Sequence, residues 1–80
     1  MTVSEAVVRR LYALCDEKGM TINKICTLSG VTQSTVSDIV NGSTKSAGMS
    51  TIKKLCDGLE ISVREFFDCE LFDDLEQELK

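Results

Sequence analysis

Gln33, Ser34, Ser37 and Asp38 are polar residues on one side of a helical pattern whose other side holds Val36 and Ile39. Their types suit the edges of base pairs. The amide of Gln33 donates and accepts at once, which matches N6 and N7 of an adenine. Ser34 and Ser37 are short and can serve bases or phosphates, and Asp38 can accept from a cytosine amino group. Around them lie groups suited to a phosphate backbone. Thr21 and Ile22 would offer main-chain N–H groups at a helix start, Thr32 and Thr35 hydroxyls at the next, and Asn41, Thr44 and Lys45 a polar loop beyond it. Singly, each is better read as an ordinary solvated side chain, a helix stop or an unpaired surface charge.

The elements that must position these residues are legible in the segment INKICTLSGVTQSTVSDIVNG, residues 22–42. Two short helical patterns meet across Gly30, where a left-handed backbone would turn the chain sharply. Cys26 is small where the first helix must let the second approach. Thr32 is placed to cap the second helix by accepting from the N–H of Ser34 or Thr35. Met20 with Ile25, and Val31 with Val36, are spaced as hydrophobic staples around the caps Thr21 and Thr32. The joint occurrence of these features at fixed offsets predicts a helix-turn-helix with a recognition helix over 32–41.

The rest of the chain reads as helices too. Thr2 and Glu5 form a capping box ahead of Val7, Leu11, Leu14 and Cys15, and Gly19 ends that helix. After the breaker pair Asn41-Gly42, Ser50 is expected to cap a fourth helix with the apolar face Ile52, Leu55, Cys56 and Leu59. Ser62 and Glu65 make a second box, with Ile61 and Phe66 as a third staple. Leu71, Phe72, Leu75 and Leu79 then repeat at helical spacing, so ELFDDLEQEL can be drawn as an amphipathic helix with acids on its other face. Helices so short are marginal alone, and this one must dock on its own core, pair with another chain, or fray. No alternating β-branched run suggests a sheet. The expected fold is all-α, a compact five-helix domain over 1–69 with an acidic amphipathic C-terminal extension, helix or tail, over 70–80.

Composition narrows the function. Eighty residues suffice for one modest core. The net charge is −4, but residues 68–80 hold six acids against one base, which leaves +1 for the remainder. Such a body argues against strong non-specific binding to nucleic acid. Cys15, Cys26, Cys56 and Cys69 form no CxxC pair, and there is no histidine; reduced core cysteines are expected, with no metal, no cofactor and no catalytic residues. Neither a membrane span nor a leader is legible, so a soluble cytoplasmic chain is expected.

With these residues in view, the chain resembles the phage-repressor and Cro-like helix-turn-helix regulators, the xenobiotic-response-element family, over about residues 5–67. TINKICTLSGVTQSTVSDIVNG resembles its motif and GMSTIKKLCDGLEISVREFF its fourth and fifth helices. The resemblance implies a five-helix fold that binds operator DNA, commonly as a dimer. It maps Gln33, Ser34 and Asp38 to base-reading positions and Thr21, Asn41 and Lys45 to backbone contacts. The chain departs from the family pattern at three places. Ile22 stands where many members place glutamine, Ser46, Ala47 and Gly48 where some carry further basic residues, and Glu60 where glycine is frequent. A left-handed backbone at Glu60 would cost about 1 kcal/mol.

The leading expectation is therefore a sequence-specific regulator of transcription whose partner is double-stranded DNA, with no membrane partner, acting as a homodimer that uses the C-terminal segment. The alternative is a protein-interaction module of the same fold, antitoxin-like or an adaptor, with weak or no DNA binding. An enzyme is not expected, since no histidine, glycine-rich phosphate loop or ligand cluster is present.

Overall fold

Thr2 opens the first helix, α1 (Val3–Glu17), by the reciprocal box that the sequence predicts: its hydroxyl accepts from the Glu5 N–H at 3.2 Å, and Glu5 Oε1 accepts from the Thr2 N–H at 3.1 Å. The computed structural model describes residues 1–40 and 48–77, with the side chains of Gln33 and of residues 38–40 outside that description. Four further helices follow: α2 (Ile22–Ser29), α3 (Gln33–Val40), α4 (Met49–Leu59) and α5 (Val63–Phe67), and a 3₁₀ turn spans Glu70–Phe72. Among the described residues there is no strand, and the fold is all-α. No helix among them is long and apolar enough to cross a membrane.

The helix ends follow local chemistry. At the end of α1 the Met20 N–H donates to the Cys15 oxygen at 2.8 Å and the Gly19 N–H to that of Asp16 at 3.1 Å, with Gly19 left-handed at φ 65°. This is the Schellman arrangement, which needs a residue tolerant of positive φ. The same arrangement closes α4, where Ile61 donates to Cys56 at 3.0 Å and Glu60 to Asp57 at 3.2 Å. Here Glu60 carries the left-handed backbone, at φ 60° and ψ 41°, so the strained glutamate foreseen from the sequence is present.

One expectation is corrected and one alternative is decided. Ser50 does not cap α4. The cap is Gly48, with extended backbone and no side-chain bond, and its carbonyl accepts from Ile52; the helix therefore begins at Met49, and Ser50 lies in its first turn as an exposed residue. A glycine cap satisfies no orphan N–H by itself, which is why a serine two positions on looked the better candidate. Of the helix and the tail that the sequence left open for the C-terminal stretch, the structure has the tail, and the amphipathic α-helix is absent among the described residues. There the tail is one 3₁₀ turn followed by non-helical chain to position 77. Too few residues separate its start from its end to repay helix nucleation, and its aromatic side chain has a better use. Phe72 lies edge-on to Phe67 with centroids 4.9 Å apart, and Phe67 likewise to Phe66 at 5.1 Å. The tail then runs back to the start of α1, where the Glu76 N–H donates to the Met1 oxygen at 3.0 Å.

One core unites the helices: Val7, Leu11, Leu14 and Cys15 from α1, Ile25 and Cys26 from α2, Val36 from α3, Ile52, Leu55, Cys56 and Leu59 from α4, and Phe66 from α5. Phe66 is wholly buried, and burial of such a side chain contributes about 1.5–3 kcal/mol. Helix α2 lies chiefly against α4. They come close at Gly58, where a Cβ would run into the Ser29 hydroxyl and meet Ile25 Cδ1 at 3.1 Å.

Candidate nucleic-acid interface

The turn between α2 and α3 is built as the sequence predicts. Gly30 ends α2 in a left-handed conformation, φ 70° and ψ 18°, and Val31 and Val36 are both buried on either side of Thr32. Thr32 caps α3, and of the two acceptable donors it is Thr35 that is used, its N–H lying 3.3 Å from Thr32 Oγ1. The hydroxyls of Thr32 and Thr35 are also joined, at 2.9 Å. Thr32 is exposed and Thr35 half-buried.

These anchors fix which face of α3 is turned out. Val36 is buried, whereas Ser34 and Ser37, two residues before it and one after, are exposed. Gln33 is the first residue of the helix and Asp38 the sixth. Asn41, Thr44 and Lys45, the expected loop contacts, lie outside the described residues, as does the side chain of Ile39, the expected inward partner of Val36.

Helix α2 presents its N-terminus through Thr21, whose hydroxyl accepts from the Lys24 N–H at 3.1 Å and keeps its own proton to donate. Ile22 is half-buried and packs on the core, so only its main-chain N–H, in the first turn without an intrahelical acceptor, is suited to an anion. Asn23 and Lys24 are exposed in that same turn and escaped the sequence reading. Their signal is a pair of polar residues in the first turn after the cap Thr21, between Ile22 and the apolar pair Ile25–Cys26. Thr27 is less free, since its hydroxyl donates to the Asn23 oxygen at 3.1 Å.

Three of the four cysteines belong to the interior, and Cys69 is half-buried. Cys15, Cys26 and Cys56 are buried free thiols, and burial pushes all three up from their ordinary range, with nearby Asp16 and Cys26 adding to the effect at Cys15. Thiols held protonated in this way are poor nucleophiles and poor ligands. Among the described residues no three Cys, Asp or Glu side chains are grouped to hold a metal ion.

A capped helix turned across a left-handed glycine onto its predecessor, with a polar outward face, is the helix-turn-helix arrangement. The helix-turn-helix family model matches residues 11–66, and the chain belongs to that family, which is not a class of enzymes. It is similar to the HTH-type transcriptional repressor RghR of Bacillus subtilis (strain 168), with 39% identity over 57 residues, 71% of this chain. The chain spans 42% of that relative's length. Among solved structures, that of the prophage Lp1 protein 11 superposes with a TM-score of 0.84 at 37% identity, covering 94% of this chain and 99% of that one. The phage-repressor resemblance read from the sequence thus holds.

Proposed function

We propose that this chain is a sequence-specific DNA-binding regulator of transcription that reads an operator through the recognition helix 32–41. The observation that carries the reading is the orientation of α3: Val36 is buried and Ser34 and Ser37 exposed, so the polar face is offered outward from a helix fixed at its start by Thr32. Exposed residues in the first turns of such a helix reach base edges in the major groove. The similarity to a transcriptional repressor supports the same reading.

In this account Gln33, Ser34, Ser37 and Asp38 meet the bases. Thr21, Ile22, Thr32 and Thr35, with Asn41, Thr44 and Lys45, hold the phosphates. Lys24 joins them, as an exposed cation beside the α2 N-terminus. The protein acts in the cytoplasm as a homodimer, whose two recognition helices would lie about one DNA turn, roughly 34 Å, apart. Leu71 and Leu75, half-buried on the docked tail, are its candidate contact surface. The acidic balance of the whole chain, −4, favours the second reading, a protein-interaction module with weak or no DNA binding.

Selection of duplexes from a random DNA pool at moderate salt separates the two. The regulator yields one enriched site, palindromic if the protein is dimeric. Recovery of no preferred sequence leaves the interaction module.

A further inference from the structure

We propose that Thr35 is a positioning residue for the phosphate backbone: it acts through Thr32, whose hydroxyl it turns into a donor with no acceptor capacity left, and its own share in holding a phosphate is indirect. The inference rests on the DNA-binding reading above and concerns how one contact of that site is made. Thr32 is exposed and Thr35 half-buried, so of the two hydroxyls it is that of Thr32 that an approaching phosphate oxygen meets.

A helical threonine ordinarily turns its hydroxyl to a main-chain oxygen three or four residues earlier. Thr27 of α2 does so, with Asn23 at 3.1 Å. Thr35 is bonded instead to the hydroxyl of the cap, Thr32, at 2.9 Å, and either oxygen can be the donor. Thr32 Oγ1 also accepts from the Thr35 N–H at 3.3 Å, an N–H shared with the Thr32 main-chain oxygen at 3.1 Å.

A threonine hydroxyl has one proton and two lone pairs. When Thr35 donates, both lone pairs of Thr32 are taken, and its proton is what remains to face outward. When Thr32 donates, its proton is turned in to Thr35 and the exposed oxygen offers a lone pair, which opposes a phosphate oxygen. A phosphate therefore selects the first direction. In that state Thr32 accepts two bonds and donates a third, and hydrogen bonds linked in this way polarise and strengthen one another.

The test uses the full chain and the site enriched from the random pool, made as a set of duplexes that each carry one uncharged methylphosphonate linkage. Thr32→Val marks the phosphate at which that linkage no longer weakens binding. Should loss of the cap unfold α3, Thr32→Asp, which caps as well and has no proton to give at neutral pH, marks it instead. Thr35→Val keeps the size, the β-branch and the N–H. It should weaken binding to the unmodified duplex by about fivefold and lose sensitivity at that same phosphate. The slope of log affinity against log salt should not change, because no cation is lost. Thr35→Ser should restore both affinity and sensitivity to within about twofold. A merely structural loss would weaken binding to every duplex alike and leave the Thr32 phosphate as sensitive as before. That result, or lost sensitivity at a different phosphate, would overturn the proposal while DNA binding stands. If the unaltered protein binds no duplex, both fall.

Discussion

Arg10 Nε donates to the main-chain oxygen of Phe66 at 2.8 Å, and its terminal nitrogen to that of Glu65 at 2.9 Å. A side chain of α1 thus closes the last turn of α5, a helix of only five residues that could not persist alone. The cation also meets the negative end of the helix dipole. Arg10→Met keeps the aliphatic stem and removes both bonds. It should lower unfolding free energy by about 1–2 kcal/mol. A denaturant midpoint unmoved by the change would mean that the two bonds do not hold α5.

The crossing of α2 and α4 rests on Gly58 facing Ser29, whose hydroxyl is buried without a partner. Ser29→Ala removes an unsatisfied polar group and should stabilise the fold by about 1 kcal/mol. Gly58→Ala should destabilise it by about 1–3 kcal/mol through overpacking, less whatever the better helix propensity of alanine returns. The two residues touch, so the penalty of Gly58→Ala should shrink by about 1 kcal/mol when Ser29 is already alanine. Strict additivity in the double mutant would refute the crossing described.

Glu60 and Gly19 occupy equivalent positions in two Schellman arrangements, but only Glu60 has a Cβ to clash there. Glu60→Gly should therefore raise stability by about 1 kcal/mol, and Gly19→Ala should lower it by a similar amount. Thermal melts of the pair check this. Opposite signs support a left-handed backbone at both sites, and a destabilising Glu60→Gly contradicts it.

Phe72 packs on Phe66 and Phe67 of its own chain. Phe72→Ala should cost about 2 kcal/mol, with the helical circular dichroism of the native state retained. The loss should be the same at all protein concentrations. A loss that varies with concentration would instead assign the residue to an interface between copies.

What the sequence disclosed was local. The caps Thr2, Thr21, Thr32 and Ser62 each bond a residue three positions on, and Gly19 and Gly30 meet a backbone requirement at their own position, so a short window suffices to see them. The outward set Ser34 and Ser37 and the inward Val36 follow from helical periodicity alone. Ser62 and Glu65 have the spacing of a full box, but among the described residues the bond runs only from the Glu65 N–H to the Ser62 hydroxyl, at 3.0 Å. What escaped was tertiary. Nothing near Gly58 announces Ser29, and Arg10 finds its acceptors more than fifty residues away. Periodicity leaves Phe72 open between a helix and a tail because it cannot weigh an aromatic partner elsewhere in the chain. Lys24 carries only the weak local signal of a polar pair in the first turn after a cap, which marks a solvated helix face as readily as a phosphate contact.

The account stands or falls on whether α3 reads sequence, and fluorescence anisotropy of Gln33→Ala and Lys24→Ala on the enriched duplex and on a scrambled one is the direct measurement. Gln33→Ala should lose about 1–3 kcal/mol on the enriched duplex and little on the scrambled one. Lys24→Ala should weaken both alike and flatten the dependence of log affinity on log salt by about one unit, as loss of one phosphate contact requires. Equal losses for Gln33→Ala on the two duplexes, or no binding of the unaltered protein to either, would contradict the assignment of α3 as a reader of bases.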